Sequence, residues 1–169
     1  MAQNLLGSVC PVPLTVRGRL EKYEAALRTL QEVFDDSEAL YGISNSVTLT
    51  TAVSVATVHS NLRQYAEMLA FVRKHDLFSA CNRALGANHE LSLRIRYLNA
   101  FGLFWARRPA MGGAEALRLF EDVNRDAQRV LGSSHPVVLQ IQRDIKYARE
   151  VHESAERLFP EGLCQHEGS

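Results

Sequence analysis

The chain has 169 residues, 19 Lys and Arg against 19 Asp and Glu, and 46% hydrophobic residues. That length can bury one real core, since about 68–70% of the unfolded surface disappears near 150 residues, and five Pro and ten Gly are too few for a low-complexity chain. A formal charge of zero supplies no global field for a polyanion and no run approaches about 18 apolar residues, which argues against nucleic-acid and membrane partners.

Residues 1–16 carry Pro11 and Pro13, which favour extended backbone, and are expected to form a flexible arm. The segment has no positive leader pattern. Cys10, Cys81 and Cys164 are odd in number and far apart, so neither a disulfide framework nor a Cys-x-x-Cys half-site is present. The reading is a cytoplasmic chain, with the nucleus as the alternative. From 17 to 160 one helical domain is expected, followed by a disordered tail over 161–169.

The first helix, 17–40, places Leu20, Tyr23, Leu27, Leu30 and Phe34 on one stripe by their 3, 4, 3, 4 spacing. Helices follow over 45–61, 63–85, 89–106, 113–131 and 135–158. The helix at 89–106 carries two stripes, Leu91/Ile95/Leu98/Trp105 and Leu93/Tyr97/Phe101/Phe104, and must be covered on both sides. The last helix has a single seam of Val138, Ile141, Ile145 and Ala148 and a polar outer face bearing Arg143, Arg149 and Glu150, as a terminal element does. The segment 106–113, with Gly112 and Gly113, is expected to be the longest loop.

Three strings align internally, Tyr41-Gly42 to Leu49, Leu85-Gly86 to Leu93, and Leu131-Gly132 to Leu139, with glycines 44 and 46 residues apart. Each contains a Gly able to take positive φ and stop a helix, a polar residue such as Ser134 to cap the next, and an inward Leu. Pro136 sits in the first turn, where a missing N–H leaves no bond unmade. Gly42, Gly86, His89, Gly132, His135 and Pro136 are therefore read as structural joints. The alternation predicts an all-α chain, an α-solenoid of antiparallel helix pairs that begins half a repeat in.

The joints Leu85-Gly86-x-x-His89 and Leu131-Gly132-x-x-His135-Pro136, together with Gly18-Arg19-Leu20-Glu21-Lys22-Tyr23-Glu24-Ala25-Ala26-Leu27 upstream, resemble kinesin light chain-type tetratricopeptide (TPR) repeats over roughly residues 18–158. The His-Glu form of the joint is similar to that of algal TPR proteins, some of which carry a MYND zinc finger; Cys164-x-His166 lacks the remaining ligands of such a finger. The resemblance implies a right-handed superhelix, a scaffold or adaptor holding a peptide or partner helix on its concave face without catalysis. In that family an Asn nine residues after the joint His commonly bonds the peptide backbone. The equivalent positions here are Ser54, Leu98 and Asp144, and Leu98 cannot make that bond.

The polar contributors to partner binding are read as Asn61, Arg94, Asn99, Arg143 and Lys146. Residues 61–110 are net basic between net acidic flanks, which suits an acidic partner, with Arg94, Arg96, Arg107 and Arg108 prominent. No cofactor and no metal site is expected, because His89 and His135 fall 46 positions apart in different repeats and His59, His75, His152 and His166 form no i, i+4 pair. Cys81 is read as a buried thiol within a helix. The alternative role is a structural subunit that self-associates end to end through its exposed first helix, as a monomer or weakly associating species.

Overall fold

The structure, a computed structural model, describes residues 16–106 and 109–158, and every element among them is helical. The helices are α1 Val16–Tyr41, α2 Ser46–Asn61, α3 Tyr65–Lys74, α4 Leu77–Leu85, α5 Glu90–Ala106, α6 Pro109–Leu131 and α7 Pro136–Leu158. The expected tail at 161–169 and the arm before Val16 lie outside the described residues. Val16 itself is already helical.

The three glycine joints are built alike. Gly42, Gly86 and Gly132 hold φ of 77°, 87° and 85°. At each, the Gly N–H donates to the carbonyl four residues back, on Glu38, Asn82 and Gln128. The residue three positions on, Asn45, His89 or His135, donates its N–H to the Gly carbonyl. The side chain of that same residue then caps the next helix. Asn45 Oδ1 accepts from Val47 N at 2.8 Å, His89 Nδ1 from Leu91 N at 3.2 Å, and His135 Nδ1 from Val137 N at 3.3 Å. The cap of α7 is therefore His135 and not Ser134. An unprotonated Nδ1 stands on Cγ where Asn carries Oδ1, so a neutral imidazole satisfies the same orphan N–H.

The single helix expected over 63–85 is broken at Asp76, which adopts left-handed φ 44° and ψ 47°. The reason lies in the polar residues. With Met68 and Val72 inward, an unbroken helix would carry Asp76, Ser79 and Arg83 inward as well. The break instead buries Leu77, Ala80 and Cys81, all at 0–1% exposure. Asp76 stays exposed and accepts from the Ser79 hydroxyl at 2.8 Å.

The loop expected over 106–113 is also corrected, because α6 starts at Pro109 and both Gly112 and Gly113 are helical. Gly113 answers to a close approach, since a Cβ there would stand 2.6 Å from His152 Nδ1 on α7.

Two apolar cores meet at α5. Phe34 of α1, Leu49, Val53 and Val55 of α2, Met68, Leu77 and Cys81 form the first with Ile95 and Leu98. Leu93, Ala100 and Phe104 join Phe120, Val123, Val138, Ile141 and Ile145 in the second. Both stripes of α5 are thus covered, with Trp105 packed on the second core rather than the first. At about 1.5–3 kcal/mol per buried large apolar side chain, this burial outweighs intrinsic helix propensity. α1 packs on α2, α2 on α3, α4 and α5, α5 on α3, α4, α6 and α7, and α6 on α7.

Candidate functional site

Helices α2, α5 and α7 lie side by side, with α5 in contact with both others. Across them runs a groove of about 640 Å³. Thr57, Ser60 and Asn61 form one wall, Glu90, Arg94, Tyr97 and Leu98 the floor, and His135, Pro136, Val137 and Gln140 the other wall. The joints place these groups. Counting from Gly42, Gly86 and Gly132, the residues eight positions on are Thr50, Arg94 and Gln140, and those fifteen on are Thr57, Phe101 and Tyr147. The same face of each helix recurs because the same corner launches each one.

Glu90 and Arg94 are the acidic and basic side chains that line the groove, and the charges beside it are paired. Asp144 accepts from Tyr97 Oη of α5 at 2.5 Å, which ties α5 to α7, and from Gln140 Nε2 on its own helix at 2.8 Å. Burial, and then the bond to Asp144, raise the Tyr97 phenol far above its ordinary value, so it remains a donor. Arg96 is engaged elsewhere, 2.9 Å from Asp126 on α6. Arg94, half-buried in the floor, has no ion-pair or hydrogen-bond partner among the described residues. The expected basic patch therefore reduces to Arg94 here, with Arg107 and Arg108 outside the described residues.

Beyond the groove, on the face of α5 that carries Arg94, Leu98 and Phe101, Trp105 lies between two tyrosines. Its ring centroid is 6.3 Å from Tyr65 of α3 at 26° and 5.7 Å from Tyr147 of α7 at 30°. Tyr147 remains 56% exposed. Burial raises the Tyr65 phenol, and Arg63 in the preceding turn partly offsets it. Of the three rings, Tyr147 offers a flat apolar face to solvent.

Of the five residues expected to bind a partner, Asn61 and Arg94 share the groove. Asn99 does not line it, being about 140° around α5 from Arg94 at 100° per residue. Lys146 faces a different depression of about 530 Å³ between α6 and α7, alongside Arg149 and Glu121, which pair with each other. Arg143 is exposed on α7 and lines neither. Repeat equivalence explains both cations: Arg143 and Lys146 stand where α5 has Tyr97 and Ala100, the positions that α6 covers. Both side chains are exposed on α7. Pro136, Val137 and Gln140 were missed as groove residues; their repeat equivalence to Glu90, Leu91 and Arg94 was the available signal.

Among the described residues no group of three or more His, Cys, Asp or Glu could hold a metal ion, and no helix is long and apolar enough to cross a membrane. Comparison with protein-family models, curated proteins and solved structures gives no match for this chain.

Proposed function

We propose that the chain is a TPR-like right-handed α-solenoid and serves as a protein-interaction module, holding an acidic peptide segment in the groove between α2, α5 and α7. The observation that carries the reading is Arg94, a half-buried guanidinium in the groove floor with no ion-pair or hydrogen-bond partner among the described residues. Its fork matches a carboxylate in two parallel hydrogen bonds, worth about 1.5–3 kcal/mol net because the pair is charge-assisted. Asn61 on the facing wall offers an amide donor and acceptor to a peptide backbone. Leu98 gives an apolar floor in place of the family's polar clamp, and the Tyr65/Trp105/Tyr147 stack receives a flat or apolar side chain. The three matching corners and the two-sided burial of α5 support the solenoid reading.

Selection of random twelve-residue peptides on the full chain tests this, with Arg94→Glu as counter-target. Binders rich in Asp or Glu that bind Arg94→Glu at least about 30-fold more weakly are expected, since about 2 kcal/mol is lost with the pair. Binders indifferent to position 94 would remove the reading. Trp105, the chain's one Trp, reports occupancy through its emission.

A further inference from the structure

α1 packs on α2 along one side and presents its far side to solvent. Lys22, Ala26, Thr29, Val33, Asp36 and Leu40 follow the 4, 3, 4, 3, 4 spacing of one helical strip. Val33 is 46% and Leu40 74% exposed. The helix is also longer than its neighbour, 26 residues against 16, or about 39 Å against about 24 Å at 1.5 Å per residue. Leu20 and Tyr23, 45% and 37% exposed, lie near its leading end.

Charge along α1 is polarised. Up to Arg28 it carries Arg17, Arg19, Lys22 and Arg28 against Glu21 and Glu24; beyond Arg28 it carries Glu32, Asp35, Asp36 and Glu38 and no base. Arg19, Lys22, Arg28, Glu32, Asp35 and Asp36 make no ion pair among the described residues. Such a helix complements itself when reversed.

We propose that a second copy of the chain docks on this strip, with α1 antiparallel to the partner copy's α1 about a two-fold axis near Thr29, which sets Lys22 of each copy opposite Asp36 of the other. The basic half of each helix then faces the acidic half of the other, and Val33 and Leu40 leave water. A parallel pair would set like charges together. End-to-end stacking onto α7 is opposed by Arg143, Lys146 and Glu150, which replace the Tyr97, Ala100 and Phe104 of α5 on the face such stacking would bury. The closed pair is the arrangement the charges favour. The strip from Lys22 to Leu40 is about 27 Å long and about 10 Å wide, well below the roughly 800 Å² per partner of a standard interface. The dimer is accordingly weak and reversible.

Sedimentation of the full chain from about 5 to 500 µM, at low and high salt, tests this. The expected result is a monomer–dimer equilibrium that weakens as salt rises. Arg19→Glu with Lys22→Glu, or Asp35→Lys with Asp36→Lys, weakens the homodimer at least tenfold; mixing the two variants restores association as a heterodimer, which also shows that both fold. Arg94→Glu leaves the dimer unchanged, so this result stands apart from that of the groove. A monomer at every concentration overturns the proposal and leaves the strip to the chain's own leading segment or to another protein. A ladder of larger species, a dimer indifferent to the reversals, or a mixture that stays monomeric overturns it equally.

Discussion

Gly86 closes α4 at φ 87° and ψ 156°, a region populated almost only by glycine. Its backbone is fixed on both sides: the N–H donates to Asn82 at 3.1 Å, and the carbonyl accepts from His89 N at 3.2 Å and from the Ser92 hydroxyl at 2.8 Å. A Cβ added there meets nothing within 4 Å, so a substitution brings backbone strain without collision. Gly86→Ala should destabilise by about 2 kcal/mol within the 1–3 kcal/mol typical of such strain. For a chain of this size that lowers Tm by about 4–8 °C. Gly86→Asn should do no better, since Asn tolerates the left-handed helical well but not ψ near 156°. A D-Ala residue introduced by semisynthesis should be tolerated. Differential scanning calorimetry with urea titration reads these effects. An alanine variant within about 1 °C of the parent, or rescue by Asn, would refute the assignment of the corner.

Further expectations follow from burial and repeat position. Leu93→Ala should cost about 2–5 kcal/mol because Leu93 is fully covered, whereas Leu139, which stands at the same place after its joint and is 47% exposed, should lose less than about 1 kcal/mol; equal losses in urea unfolding would contradict the difference in burial between α5 and α7. Burial raises the Cys81 thiol, so at pH 8 it should react with a thiol reagent only as fast as the chain opens, and a fast stoichiometric reaction in native buffer would contradict its place in the core. The raised Tyr97 phenol adds stability that is fully present below the unfolded value near 10 and is lost as pH climbs above it. Tyr97→Phe should therefore be less stable by about 1 kcal/mol at pH 7 yet fall less steeply between pH 10 and 11; parallel curves would count against it.

Much of the fold was legible because helix boundaries were written locally. The three Gly corners, the stripe of Leu27, Leu30 and Phe34, and the double stripe of α5 needed only local pattern. Asp76 hid the break between α3 and α4, because the gain from turning Leu77 and Cys81 inward is a tertiary term that propensity does not carry. Gly113 read as a turn because its cause, the His152 ring, sits 39 residues away in the sequence. The groove was half legible. Arg94 and Asn61 could be placed by face, but whether a charge is free depends on its neighbours: Arg96 is bound by Asp126, and Asp144 by Tyr97 and Gln140.

The groove reading is tested most directly by amide chemical-shift mapping of the labelled full chain against an acidic peptide obtained by selection. Saturable shifts should centre on Asn61, Arg94, Leu98 and Gln140, extend to the Trp105 indole, and vanish in Arg94→Glu. Shifts confined to α1 or to the depression between α6 and α7 would contradict it.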